Sequence, residues 1–381
     1  MEKGTRKRYE RLYPDELLEA PITERLQFFH DSIVSHRIFD SCSKEIDYFI
    51  SGRRRETMIM LIGASGAGKS ALAENLHVKV CTEFFQSHPD DLHTIPSVLA
   101  EPWAEERDRF DWIDLYEELL AKLQAPLISD SLPEVVKIIA GREFVLPDIA
   151  TRNRPTLRTL RQRFRRVIVE RDTSVVFLDE ATNVMLSEEK KRVKRRATTL
   201  RSMVNRSNTL LVCCGAYDLY DLALQSGQLA RRGNIVHLRT YLPSERDAYG
   251  QALIALENCL PCKIKGGTLD RYADLLEAQS VRSVGHTKTI LMNALTRSCN
   301  LNKPIDKEIL ERSFYKPEQL AVLRDDIFDG YLLVEGVRHP EDDRAKRAPS
   351  TGKADSTRPK ARKKRPVGKV LPIRRPVGGK T

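Results

Sequence analysis

The 381-residue sequence has no apolar run long enough to cross a membrane as a helix, which takes roughly 18 residues. The basic residues at 1–16 are not followed by an apolar stretch, so the sequence predicts no secretory signal. The seven cysteines are odd in number and unevenly spaced, which argues against a disulfide framework. These absences favour a protein of a reducing compartment with no membrane contact, and we expect it in the cytoplasm.

The net positive charge is confined to one end of the chain. The whole sequence has a formal net charge of +11. Residues 344–381 contain 14 Lys and Arg residues and one Asp, so the preceding residues carry a net charge of −2. This basic tail is rich in Pro, Gly, Ser and Thr, a composition typical of disordered segments, and such polycations attract nucleic acid through its phosphates. The alternative is a solvated tail that serves only solubility.

Short apolar runs alternate with helical patterns over most of the chain. Runs of this length between turn residues predict buried strands of a parallel sheet that is covered by helices on both faces. Residues 125–156, which contain four prolines, are interpreted as irregular. The predicted strands are 58–63, 94–102, 174–180, 208–216 and 234–241. The pattern therefore predicts an α/β fold with a parallel five-stranded sheet.

Only helical patterns appear from residue 244 to about 325, which indicates a smaller helical lid after the sheet. Changes in pattern and composition divide the chain into four predicted regions. These are an N-terminal helical extension at 1–50, an α/β core at 51–242, the lid at 243–330 and a basic, disordered tail at 331–381.

A glycine-rich motif follows the first predicted strand. The stretch "GASGAGKS" at 63–70 matches G-x-x-x-x-G-K-[ST], in which successive backbone N–H groups point at phosphate oxygens. Lys69 is expected to reach the β- and γ-phosphates of ATP, and the Ser70 hydroxyl to ligate Mg²⁺. A ligand-free glycine-rich turn is the alternative, which the position between a strand and a helix disfavours. The predicted nucleotide-binding residues are Gly63, Ala64, Ser65, Gly66, Ala67, Gly68, Lys69, Ser70 and Ala71.

The third predicted strand, "VVFL", ends in two carboxylates, Asp179 and Glu180. Open α/β sheets bind their ligands at this carboxyl edge. Asp179 is therefore expected to hold Mg²⁺, and Glu180 to orient or deprotonate the attacking water. An apolar run that ends in Asp-Glu is a weak signal by itself. Together with the glycine-rich motif, it indicates a nucleotide-hydrolysing site.

Groups that act on this site from elsewhere are harder to assign from the sequence. Arg231 or Arg232 could reach the γ-phosphate of a neighbouring subunit as an arginine finger, which implies an oligomer; an ordinary surface arginine is the alternative. The fourth predicted strand ends near Ala216 and Tyr217, where a polar sensor of the γ-phosphate is expected and Ala216 holds the likeliest position. The lid offers three candidates for a second sensor, although each alone also fits a solvated helix face: Arg282, His286 and Lys288.

These parts, in this order, resemble an AAA+ ATPase. The segments around them are similar to the TniB/TnsC-type transposition ATPases, over roughly residues 15–310. The similarity is carried by "PITERLQFFHDSIVSHRIF" before the glycine-rich motif, by "LDEATNVM", by "QLARRGNIVHLRTYLPSE" and by the lid segment "SVGHTKTILMNAL". The family often has Gly-Arg where this chain has Gly285-His286.

The resemblance implies a bacterial, nucleoid-associated regulator of transposition. Members of this family bind ATP with Mg²⁺ and assemble on double-stranded DNA as homo-oligomeric rings or filaments. They recruit a transposase and a target-selection protein, and ATP hydrolysis promotes disassembly. The expected fold is accordingly a P-loop AAA+ core with N-terminal helices, a C-terminal helical lid and a disordered basic tail.

Two clusters of basic residues support the DNA-binding part independently. One lies on the predicted helix before Asp179, at 158–166, and the other on the helix after it, at 190–196. Phosphate contacts from such helices would give affinity without sequence specificity. A solvated helix face is the alternative, because glutamates lie beside both clusters. The predicted DNA contacts are Arg161, Arg165, Lys190, Lys191, Lys194 and Arg195.

Three other functions remain open. An initiator or helicase loader would share the nucleotide site and the basic helices, but residues after 310 look too short for a winged-helix domain. A nucleotide-operated switch with little turnover fits the missing polar side chain at Ala216. A small-molecule kinase would need a phosphoryl-acceptor pocket, for which the sequence offers no candidate.

Overall fold

The computed structural model describes residues 11–52, 58–103, 110–124, 134–139, 142–147, 156–185, 190–204, 207–220 and 233–342. Met1–Glu341 form one compact unit and Asp342–Thr381 a second. The predicted disorder of the tail at 331–381 is wrong for 331–335, which belong to a helix, and it stays a prediction for 343–381, which lie outside the described residues. Within the described ranges, no helix combines the length and the hydropathy that a bilayer span requires.

The main sheet has five strands, all parallel, in the spatial order β2-β5-β6-β1-β7. All five predicted strands are confirmed. They could be recognised because a strand that is buried on both faces consists largely of consecutive apolar residues. Their bounds are Met58–Ile62 (β1), Ser97–Ala100 (β2), Val175–Leu178 (β5), Leu210–Gly215 (β6) and Gly233–His237 (β7).

The interpretation of residues 125–156 as irregular was wrong in part. Glu134–Ile139 (β3) and Arg142–Pro147 (β4) pair antiparallel as a separate two-stranded sheet. Both segments are rich in β-branched and aromatic residues, and they are joined by Ala140-Gly141. Of the four prolines on which the irregular interpretation relied, Pro133 directly precedes this hairpin and Pro147 ends it.

Helices cover both faces of the sheet and continue beyond it. The helices up to the end of the sheet are Ile22–Asp31 (α1), Arg37–Ser51 (α2), Lys69–Ser87 (α3), Trp112–Lys122 (α4), Leu157–Glu170 (α5), Thr182–Met185 (α6) and Lys190–Val204 (α7). The later helices are Arg246–Cys259 (α8), Ala273–Ser280 (α9), Val284–Leu301 (α10), Lys307–Glu311 (α11) and Pro317–Glu335 (α12).

The sheet separates two apolar cores, and the interior strand β1 contributes to both. Its residues Met58, Met60 and Ile62 belong to the core that includes side chains of α4, α5 and α7. Ile59 and Leu61 point into the other core, which contains α2, α3 and the lid helices. This alternation follows from the two-residue period of a strand, and it holds the loop after β1 on a rigid base.

The last described helix crosses the predicted end of the lid at residue 330. Helix α12 continues to Glu335 and ends at Gly336, whose φ of +71° is the left-handed conformation that stops helices. Its buried residues Ile327 and Phe328 pack into the same core as Met60. The chain after the lid is therefore part of the folded unit up to Glu341.

Candidate functional site

The loop after β1 has the backbone that a phosphate-binding loop needs. It leaves the fully buried strand β1 and enters helix α3 at Lys69. Gly68 precedes the helix with a φ of +101°, a conformation that side-chain-bearing residues rarely adopt. The first turn of α3 thus directs its unpaired N–H groups and its positive dipole end toward the loop, which suits a bound phosphate.

Lys69 lies inside this loop and is only 6% exposed. Its Nζ donates to the carbonyl oxygens of Gly63 at 3.1 Å and Ala64 at 2.9 Å. Burial lowers the pKa of Lys69, while the negative charges of Glu180 and Asp179 oppose that shift. The charges of the two carboxylates at the end of β5 therefore act on Lys69, and the three groups form one electrostatic centre.

The end of β5 places the carboxylates at the carboxyl edge of the sheet. The backbone N–H of Asp179 donates to Ala100 at 2.9 Å, so it extends the pairing of β5 with β2. Glu180 is the first residue beyond this pairing, and its own N–H donates to the Asp179 carboxylate at 3.0 Å. Glu180 has a φ of +46°, a left-handed conformation that is costly for a residue with a side chain and is often found at functional sites.

The tip of the neighbouring strand β6 contributes Tyr217 rather than Ala216. Ala216 uses its backbone N–H to donate to the Thr182 hydroxyl at 3.1 Å. The Tyr217 hydroxyl oxygen accepts from the backbone N–H of Ala64 in the phosphate loop and lies 3.2 Å from Nε2 of His237. Burial raises the pKa of Tyr217, so its ring carries a neutral hydroxyl. The sequence indicated only that a polar group should lie near this tip.

The lid contacts the phosphate loop through the start of α10. The Nε2 of His286 donates to the carbonyl oxygen of Ser65 at 2.8 Å, and the side chain is 3% exposed. Burial lowers the pKa of His286, which favours the neutral imidazole. Gly285 lies so close to the loop that a Cβ there would be 1.8 Å from the Gly66 carbonyl oxygen.

The other two candidates for a second sensor point elsewhere. Lys288 donates to the carbonyl oxygens of His30 at 2.7 Å and Ser32 at 2.8 Å, which ties the lid to the end of α1. Arg282 is 6% exposed and forms ion pairs with Glu277 and Glu341. Neither is a solvated helix face, and His286 is the candidate that reaches the phosphate loop.

The two basic helices lie next to each other. A guanidinium nitrogen of Arg165 on α5 donates to the carbonyl oxygen of Ser202 on α7 at 3.3 Å. Arg165 and Arg195 are exposed, while Arg161 is half-buried beside Tyr116. Arg196 is 8% exposed and donates to Val184 at 3.1 Å, so it holds the chain after Glu180.

Several predicted residues cannot be placed. Arg231 and Arg232 lie outside the described residues. The backbone of Lys190, Lys191 and Lys194 belongs to α7, but their side chains are outside the described part. In the ranges that the structure describes, no group of three or more His, Cys, Asp or Glu side chains is arranged to hold a metal ion.

No curated protein matches the chain by sequence. The ORC2 protein of Aeropyrum pernix is 12% identical over 84% of this chain and 86% of its own, with a TM-score of 0.46. A chain of Drosophila ORC bound to DNA is 10% identical over 91% of this chain and 87% of its own, with a TM-score of 0.47. A Walker-type ATPase of Pyrococcus abyssi is 14% identical over 82% of this chain and 89% of its own, with a TM-score of 0.45. Residues 53–223, a little under half of the chain, match the model of the AAA domain family.

Proposed function

We propose that this chain is an ATP-hydrolysing, DNA-binding regulator of transposition, which assembles as a ring or filament on double-stranded DNA. The observation that supports it most is the electrostatic centre formed by Lys69, Asp179 and Glu180 beside the phosphate loop. The match of residues 53–223 to the AAA domain family supports the nucleotide-binding part. The transposition part rests on the resemblance of the flanking sequence to the TniB/TnsC-type ATPases.

Each group of the site has a role that its position suits. Backbone N–H groups of residues 63–70 and the ammonium of Lys69 would bind the phosphates of ATP. The hydroxyl of Ser70 and the carboxylate of Asp179 are the hard oxygen donors that suit Mg²⁺, which would neutralise charge on the β- and γ-phosphates. Glu180, free of the strand pairing, would orient and deprotonate the attacking water. Arg231 or Arg232 of a neighbouring subunit would stabilise the leaving charge.

The DNA-binding part is supported by the packing of α5 against α7. The contact between Arg165 and Ser202 joins the two basic helices into one continuous surface. Exposed arginines on such a surface bind phosphates without reading bases. The basic tail, with its net positive charge, would add affinity for DNA or for a transposase and target-selection partner.

One observation favours a second candidate, a nucleotide-operated switch with little turnover. Ala216 has no polar side chain at the tip of β6, and the hydroxyl of Tyr217 already bonds the loop at Ala64. The two candidates differ in the rate of ATP turnover and in its response to duplex DNA. An initiator or helicase loader would also hydrolyse ATP, but it would not recruit a transposase.

The test compares ATP hydrolysis by the full chain with and without duplex DNA. We expect DNA-stimulated turnover that Glu180→Gln abolishes, while Glu180→Gln still forms DNA-bound oligomers that persist in electron micrographs. Glu83→Gln, which removes the same charge from an exposed part of α3, should behave as the unaltered protein. ATP binding without turnover would favour the switch, and failure to bind ATP would refute the proposal.

A separate measurement tests the basic surface. Arg165→Gln and Arg195→Gln should each lower the slope of log affinity against log salt by about 0.9 for one lost phosphate contact. The control is Arg312→Gln directly after α11, an exposed arginine that pairs with Glu308 at 2.6 Å. An unchanged slope in both variants would exclude this surface as the DNA contact.

A further inference from the structure

The segment after the lid lies against the nucleotide site. We name Pro317–Glu335 (α12) together with the residues up to Glu341 the C-terminal strap. Its apolar residues Ile327 and Phe328 are 1% and 3% exposed. Gly330 touches the ring of Tyr217, since a Cβ at this glycine would lie 2.0 Å from the Cε2 atom. The strap therefore covers the tyrosine that bonds the phosphate loop.

The strap also brings a carboxylate to the loop itself. Partial burial raises the pKa of the Asp326 carboxyl, while the backbone of Ser65 and the charge of Lys69 lower it, so this carboxylate lies near the loop. The carbonyl oxygen of Ser65 accepts a hydrogen bond from Nε2 of His286 in the lid. Groups of the strap and of the lid therefore both lie beside Ser65.

A chain of polar contacts joins the strap to the other end of the loop. Glu335 lies 2.7 Å from Nδ1 of His237, whose Nε2 lies 3.2 Å from the Tyr217 hydroxyl. That hydroxyl accepts from the backbone of Ala64. Beyond α12, Glu341 forms an ion pair with the buried Arg282 of the lid. The strap is therefore fixed to the loop, to the strand β7 and to the lid.

We propose that the C-terminal strap is an intramolecular competitor of the nucleotide phosphates, in which the Asp326 carboxylate takes the Ser65 amide and ATP must displace α12 to bind. This inference rests on the proposed nucleotide-binding function of the loop. The strap lies outside residues 53–223, so the competitor is an addition to the AAA domain.

Charge and geometry explain why the strap and a triphosphate exclude each other. One backbone N–H can serve a carboxylate or a phosphate oxygen, and two anions beside the same lysine repel each other strongly where protein limits solvation. The apparent affinity for ATP is then reduced by the fraction of molecules in which the strap is open. Removing the charge of Asp326 shifts this equilibrium toward the open form without altering the loop.

The first test is calorimetric titration of the full chain with a non-hydrolysed ATP analogue and Mg²⁺. Asp326→Asn should bind about 3- to 10-fold more tightly than the unaltered protein, which corresponds to a strap closed in about 70–90% of molecules. Glu318→Gln, the same loss of charge at an exposed position of α12, should leave the affinity unchanged. If the unaltered protein binds the analogue and Asp326→Asn binds equally or less well, competition is refuted while nucleotide binding stands. If neither binds, the proposed function fails as well.

The second test does not depend on the charge of Asp326. Gly330→Ala should push α12 away from Tyr217 and should also tighten analogue binding, because the added methyl cannot fit beside the ring. In hydrogen-exchange measurements on the unaltered protein, the analogue should slow exchange at 63–70 and accelerate it at 320–335. Slower or unchanged exchange at 320–335 would show that nucleotide and strap bind together, which would overturn the proposal.

Discussion

Replacing Gly285 with alanine tests how closely the lid is packed on the phosphate loop. A Cβ at this position would lie 1.8 Å from the carbonyl oxygen and 2.9 Å from the carbonyl carbon of Gly66. Carbon–oxygen contacts are normally about 3.3 Å or longer, so helix α10 and the loop would have to separate by roughly 1.5 Å. The 2.8 Å hydrogen bond from His286 to Ser65 would not survive this movement.

Gly285→Ala changes the free energy of unfolding through contributions of opposite sign. Overpacking costs about 1–3 kcal/mol, and a buried imidazole and carbonyl left without their bond cost about 1–3 kcal/mol more. Alanine in place of glycine in a helix returns at most about 1 kcal/mol. We therefore expect Gly285→Ala to lower the free energy of unfolding by about 2–4 kcal/mol, with steric overlap outweighing helix propensity.

The measurement is urea unfolding of the full chain, with His286→Ala as the matched variant. His286→Ala removes the same hydrogen bond but leaves a cavity where the buried imidazole was, instead of adding volume between the helix and the loop. Its loss of stability therefore comes from the missing bond and the missing packing, and that of Gly285→Ala from steric overlap. A Gly285→Ala protein as stable as the unaltered one would mean that the lid does not rest on the loop, and the packing inferred for this site would be wrong.

Three further outcomes are expected. Lys69→Ala should abolish ATP binding and DNA assembly together, measured by calorimetry and electron microscopy; assembly without ATP binding would separate the two. Deletion of 344–381 should weaken association with DNA or transposase and leave the unfolding midpoint unchanged, and unaltered binding in both assays would leave the tail a solubility device. Burial lowers the pKa of His36 from 6.5 to about 4, so the unfolded chain takes up the proton first as the pH falls. The free energy of unfolding should therefore decline from about pH 6.5 to about pH 4, by up to about 3 kcal/mol, and His36→Asn, which keeps an acceptor for the start of α2, should flatten that decline.

The parallel sheet could be predicted because its strands are short, apolar and bounded by turns. Each predicted run contains an observed strand, and β1 is buried along its whole length. The hairpin of β3 and β4 could not be predicted, because the prolines beside it also fit an irregular backbone. Proline marks the borders of strands as well as their absence, and the choice depends on which residues pair.

The phosphate loop and the carboxylates could also be predicted, since each motif lies within one local stretch of chain. The lid residues could not. Arg282, His286 and Lys288 lie within seven positions, yet they reach Glu341, Ser65 and the end of α1, respectively. The directions of His286 and Lys288 depend on the rotation and position of α10, and that of Arg282 on the turn before it, all of which are set by packing against distant elements.

The amino-acid sequence by itself determined the strand–loop–helix that can hold a phosphate, because glycine spacing and backbone conformation are local properties. Only the tertiary structure decided what covers that loop: His286 from the lid, Tyr217 from the tip of β6, and Asp326 from the C-terminal strap. Such contacts join residues far apart in the chain. They form only when whole helices pack on the sheet, and no local pattern encodes which side chain will face the loop.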